Sequence, residues 1–171
     1  MEVTFMKKYT NVLVGIDGSE QSEMAFNKAV TITTQNDATL SLLSVINGER
    51  FPNTSTVGYG FIDRSVYDTS VSEMKKKLAT YKQTAMDAGV KDVNIDVKIG
   101  NAKVELGSDY PRDNDIDLIV VGATGLNFIG RMLVGSTAAY VIKEAPCDVI
   151  VVKTDEDNKP VDLQKTTYPE I

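Results

Sequence analysis

Five short apolar runs punctuate the chain, separated by longer stretches with a helical period. Val12-Leu13-Val14-Gly15-Ile16 is continuous, and Leu40 to Val45 is nearly so, carrying Ser41 and Ser44. Val93, Ile95, Val97 and Ile99 alternate with Asn94, Asp96 and Lys98. Leu118 to Val121 runs into Gly122, and Val149 to Val152 closes the series. Length and β-branching mark these runs as strands. Between them, Ala25, Phe26, Ala29, Val30 and Ile32 share one helical face after Ser19. Val71, Met74, Leu78, Tyr81, Ala85 and Ala88 recur at intervals of three and four, with Lys75, Lys76, Lys77 and Lys82 on the other, solvated side. Asn101 to Asp113 reads as a weaker helix with Gly107 inside it and Pro111 near its end, and Ala138 to Ala145 as a helix stopped by Pro146.

Strands alternating with helices predict an α/β fold, a parallel sheet covered on both faces. The continuously apolar first and fourth strands suit central positions, and the alternating third suits a half-solvated edge. The pattern predicts a three-layer, doubly wound sandwich with a five-stranded parallel sheet of order 3-2-1-4-5. The switch point then lies between strands 1 and 4. The fifth strand, Val149, Ile150, Val151 and Val152, becomes the other edge although it is continuously apolar. A bare edge of that kind promotes aggregation. It is expected to be covered by the same strand of a second subunit or by the chain's own polar tail, 154–171, and the commonness of two-fold dimers favours the former. Asn47 to Ser65, with Phe51, Tyr59 and Phe61, is too long for a simple connection and reads as a surface insertion.

Composition narrows the chemistry. The 171 residues suit one domain, and a charged fraction of 25% is ordinary for a folded one. There is no His, so there is no imidazole base or ligand and no Ser-His-Asp triad. The single Cys, Cys147, permits neither an internal disulfide nor a thiolate zinc site, and reads as a buried small hydrophobe. A net charge of −6 argues against nucleic acid and anionic membranes as partners. No apolar run approaches a membrane span, and Met1 to Thr10 lacks the apolar core of a signal peptide, so a cytoplasmic protein is expected.

One stretch carries candidate chemistry. Gly122-Ala123-Thr124-Gly125 follows strand 4, and after nine residues comes Gly135-Ser136-Thr137 at the head of the last helix. Glycines let backbone approach a ligand closely. The first N–H groups of a helix are free and attract anions. The loop also leaves the carboxyl end of a strand beside the switch point, so phosphate is the ligand class these residues favour. Each residue has a plainer role open to it. Ser136 can be the helix cap, and Asp17 can cap helix 1 with Glu20 completing a capping box.

These residues resemble the signature of the nucleotide-binding branch of the universal stress protein family, G-x-x-G, nine residues, then G-[S/T]. The similarity continues through Val141 to Cys147, through Val149 to Lys153, and at the front through Val12 to Glu20, covering about residues 8 to 153. It implies a Rossmann-like fold of the adenine nucleotide alpha hydrolase-like kind, with ATP and Mg²⁺ or Mn²⁺ at the switch point, and homodimers paired through strand 5. By position, it implies that Gly122 and Gly125 line the ribose and phosphates and that Gly135, Ser136 and Thr137 hold the phosphates. Val121, Gly15, Ile16 and Asp17 would wall the pocket, and Val45 would meet the adenine. Family members often carry a basic residue or His within G-x-x-G; Ala123 and Thr124 stand there in this chain, and Arg131 is a candidate replacement for the missing charge. The resulting expectation is a nucleotide-dependent regulatory homodimer of the stress response, at most slowly hydrolytic. The alternative is a weak ATPase or a phosphoryl or nucleotidyl transferase using the same site. There is no P-loop lysine motif and no dinucleotide fingerprint after strand 1.

Overall fold

The computed structural model describes residues 8–47, 64–125 and 134–154, with 157 and 159. Five parallel strands form one sheet of order β3-β2-β1-β4-β5. They are β1 (Asn11–Gly15), β2 (Thr39–Asn47), β3 (Asp92–Gly100), β4 (Leu118–Gly122) and β5 (Asp148–Val152). The order read from apolar patterning is the order found. Residues 11–15 of β1 face 39–43 of β2, and 12–14 face 118–120 of β4, so β1 and β4 are buried through their middles.

Alternate side chains along the sheet feed two cores. Val12, Val14, Leu40, Leu42, Leu118 and Val120 pack beneath α1 (Glu20–Asn36) and α2 (Arg64–Asp87). There Phe26 meets Tyr81 edge to face, with centroids 4.9 Å apart. Leu13, Leu43, Ile119 and Val121 pack on the opposite face against Leu106, Tyr110, Ala138 and Val141. The α2 helix begins earlier than its apolar period indicates and ends at Asp87. Ala88 lies past its end and is exposed, which corrects its place on the buried face. The expectation for the 47–65 connection lies largely outside the described residues, and Arg64 and Ser65 already belong to α2.

The weak helix is three short pieces: α3 (Ala102–Val104), a π turn over Glu105–Asp109, and α4 (Tyr110–Asp113). Pro111 has no N–H and its ring crowds the carbonyl four residues back, that of Gly107; widening the turn relieves both. Gly107 is required for another reason. A Cβ there would stand 2.9 Å from Tyr140 Cδ1 of α5 (Ser136–Glu144). That last helix stops as expected before Pro146, with Ala145 extended at ψ 137°.

At the amino end of the sheet, Asp117 ties β1 to β4. Its carboxylate accepts from Thr10 N (2.8 Å), Thr10 Oγ1 (2.7 Å) and Asn11 N (3.0 Å). Tyr9 Oη donates to Asp148 Oδ2 at 2.9 Å. Cys147 is half-buried between these acids, and burial, then Asp117 and Asp148, push its thiol up to about 11. The cysteine is therefore less buried than its apolar context indicates, yet poorly ionised.

Two outcomes follow from this end of the molecule. Asp117→Ala should lower unfolding free energy by about 1–3 kcal/mol in urea titrations, because three donors lose one acceptor. An unchanged midpoint would show that water replaces the carboxylate at no cost. Native Cys147 should react with iodoacetamide at pH 8 about 100-fold more slowly than in unfolded chain, since roughly one thiol in a thousand is ionised. Equal rates would contradict the burial argument.

Candidate functional site

Two turns meet at the carboxyl end of the sheet. The first leaves β1, where Ile16 N donates to Leu43 O at 2.8 Å and fixes the exit direction. Gly18 then takes φ +84°, a left-handed conformation that suits glycine. Ser19 caps α1, its Oγ accepting from Ser22 N at 3.1 Å. Asp17 is not the cap, and no capping box runs from Asp17 to Glu20. Asp17 Oδ1 instead accepts from Ser19 N (2.9 Å) and Ser19 Oγ (2.6 Å), holding the capping residue in place. These two bonds run to the capping residue itself, while Ser19 Oγ is the group that accepts from the helix N–H.

The second turn leaves β4. A Cβ on Gly122 would stand 2.7 Å from the Gln21 carbonyl oxygen, so this glycine lets α1 lie against the strand end. Ala123 N donates to Val152 O at 2.9 Å, tying the turn to β5. A Cβ on Gly125 would stand 2.6 Å from Asp17 Oδ2. Gly125 is thus the residue that admits the Asp17 carboxylate between the two turns.

Gly135 comes back to the same place. Its N–H donates to Ala123 O at 2.6 Å, and a Cβ on it would lie 3.4 Å from Thr124 Cα. Gly135, not Ser136, is the N-cap of α5, and as a glycine it brings no side-chain hydrogen bond to the helix start. Ser136 occupies the first turn with its side chain exposed. Among the described residues no side chain accepts from the first N–H groups of α5, the arrangement that favours an anion.

Between these turns lies a cleft of about 590 Å³, including its open mouth. Gly15, Ile16, Asp17, Val45, Val121, Gly122, Gly135 and Thr137 line it, eight of the residues singled out from sequence. Gly125 abuts Asp17 and Ser136 opens α5 with an exposed side chain, neither of them in the lining, and Arg131 lies outside the described residues. Ser22, Leu43, Ala102, Leu106 and Thr124 also line the cleft and were not anticipated as site residues. Leu106 reaches it because the π turn lays it over β1, where a Cβ on Gly15 would come within 3.0 Å of it. No local pattern announces such a contact.

The lining is mostly apolar, and Asp17 is its one charged side chain among the described residues. The Lys77 ammonium of α2 lies 3.8 Å from where a Cβ on Gly18 would be, which brings a cation over the adjoining turn. Lys77 is exposed, as the polar side of its helix requires, but it is also positioned. No group of three or more Cys, Asp or Glu side chains among the described residues could hold a metal ion by itself. A divalent ion here would take most of its ligands from phosphate, and the fit to a metal-nucleotide rests on glycine backbone, the open helix start and Asp17.

The two turn glycines should behave differently when substituted. Gly122→Ala presses a methyl on α1 backbone and should cost about 1–3 kcal/mol of stability. Gly125→Ala presses only on an exposed carboxylate that can swing away, and should cost under about 1 kcal/mol. Urea midpoints for both variants check this, and equal costs would contradict the assignment of Gly122 to packing.

Residues 8–153 match the model of the universal stress protein family. A Staphylococcus epidermidis chain named for that family is 37% identical over 159 residues, spanning 93% of this chain and 92% of the relative. The structure of universal stress protein UspA from Lactobacillus plantarum aligns with a TM-score of 0.74 at 32% identity, over 86% of this chain and 99% of that one. A universal stress protein solved in complex with cAMP aligns with a TM-score of 0.62 at 26% identity, over 85% and 98%. With the switch-point cleft, the glycine-built turns and these likenesses in agreement, the chain belongs to the universal stress protein family.

Proposed function

We propose that the chain binds an adenine nucleotide, ATP with Mg²⁺ or Mn²⁺, in the switch-point cleft and works as a nucleotide-dependent regulatory homodimer in the cytoplasm. The observation that carries this reading is the start of α5. Among the described residues its first N–H groups have no side-chain acceptor, and they open on a cleft lined in part by glycine backbone. Gly135, Ser136 and Thr137 would hold phosphate through backbone and hydroxyl groups, Gly122 and Gly125 would admit the ribose and phosphates, and Val45 with Ile16 would cover the base. The cAMP complex of a relative supports an adenine nucleotide as the ligand class.

Electrostatics make the metal part of the proposal. Asp17 and a triphosphate are like charges, and a pair of unit charges 4 Å apart costs about 4 kcal/mol at an effective dielectric of 20. A divalent ion on the phosphates, with Lys77 beside the turn, offsets that repulsion. Asp17 accepts two hydrogen bonds from Ser19, which favours a positioning role over that of a base activating water.

The dimer reading rests on β5. The strand pairs with β4, and among the described residues no strand takes its other edge, while Val149, Ile150 and Val151 are only half-buried. Pairing with the same strand of a second copy would cover them.

Saturating ATP with Mg²⁺ at 100-fold its dissociation constant should stabilise the protein by about 2.7 kcal/mol, a rise in Tm of roughly 5–10 °C. EDTA should shrink that shift, and sedimentation should give a dimer mass that Ile150→Glu halves. No shift with ATP in either metal would overturn the nucleotide reading, and a wild-type monomer would overturn the dimer.

A further inference from the structure

Among the described residues, two buried side-chain polar atoms have no hydrogen-bond partner, Thr33 Oγ1 and Thr124 Oγ1. Buried hydroxyls ordinarily find a partner, and one left without loses its hydration uncompensated. Valine has nearly the same shape and no hydroxyl, so neither threonine is explained by packing alone.

The two lie in opposite places. Thr33 sits near the carboxyl end of α1, which returns towards the amino end of the sheet, and it lines no part of the cleft. Thr124 lines the cleft although it is only 5% exposed. Its Cα lies 3.4 Å from where a Cβ on Gly135 would stand, and the carbonyl of its neighbour Ala123 accepts from Gly135 N. Thr124 thus sits beside the start of α5 with a hydroxyl that has no partner among the described residues, and among those residues no side chain accepts from the first helix N–H groups either. A phosphate at those N–H groups would stand beside Thr124 and offer its hydroxyl an acceptor. Turning about the Cα–Cβ bond exchanges methyl and hydroxyl between staggered positions, so the group can be presented to the cleft without moving backbone.

We infer that Thr124 is a specificity residue of the cleft, its hydroxyl donating to a phosphate oxygen of the bound nucleotide. This rests on the nucleotide reading above and names the part of the ligand that the residue recognises. It also assigns a purpose to the third position of G-x-x-G in a chain that has no basic residue there. A neutral donor at that point selects for a phosphoryl group by hydrogen bonding and leaves the charge to the metal and Lys77.

The test compares Thr124→Val, Thr124→Ala, Thr124→Ser and Thr33→Val with wild type, reading unliganded Tm and calorimetric affinities for ATP with Mg²⁺, AMP and adenosine. Thr124→Val should raise the unliganded Tm, weaken ATP and AMP about 10-fold, and leave adenosine within twofold. Thr124→Ala should weaken the phosphorylated ligands equally without adding bulk, and Thr124→Ser should restore them. Thr33→Val should raise the Tm and change no affinity. The inference is overturned if Thr124→Val and Thr124→Ala bind AMP as wild type does, or lose adenosine in equal measure. Wild-type protein that binds none of the three ligands overturns the nucleotide reading itself, whereas wild-type binding with indifferent variants overturns the role of Thr124 alone.

Discussion

At the carboxyl ends of β1 and β4, two turns lie closer together than side chains would allow. Gly122 has the backbone of Gln21 against it, and Gly125 has the carboxylate of Asp17. This approach sets α1 against β4 and holds Asp17 where it can fix the Ser19 cap, and Gly135 lies against the same turn. The cleft is what remains between turns that cannot close further, and the start of α5 faces it because Gly135 is bonded to Ala123. Packing and binding therefore share residues. Gly122 answers chiefly to helix packing and Gly125 to the Asp17 carboxylate, although both belong to one sequence motif.

The same geometry inclines the site towards holding a ligand over transforming one. The chain contains no His, and the carboxylate in the cleft is engaged with its own turn. What the cleft offers in quantity is backbone N–H, apolar wall and small residues. Such groups recognise phosphate and base through fixed dipoles and shape, at contact range, where the protein's overall negative charge is largely screened. On the proposed reading, discrimination among adenine nucleotides depends on a few polar side chains, among which the Thr124 hydroxyl has no partner among the described residues.

How much of this was legible in the chain follows from the range of the interactions. The sheet order could be read because burial on both faces leaves continuous apolar runs in β1 and β4 and alternation in β3. The glycine turns could be read because close backbone approach demands glycine locally. The π turn could not, since it arises from Pro111 acting on Gly107 while Gly107 is also pressed by Tyr140 from another helix. Leu43, Ala102 and Leu106 reach the cleft only once the sheet has been assembled. Asp17 was legible as a residue of the cleft wall but not in its local role, because Ser19 two residues on is the one that caps α1.

The central claim is that the cleft takes an adenine nucleotide with its phosphate at the start of α5. Amide chemical shifts followed by ¹⁵N NMR during titration with AMP test it most directly. The account predicts saturable shifts concentrated at Gly125, Thr124 and Gly135 to Ala138, with smaller ones at Ile16 and Val45, and none along β3. Saturable shifts elsewhere on the molecule with these amides unmoved would contradict it.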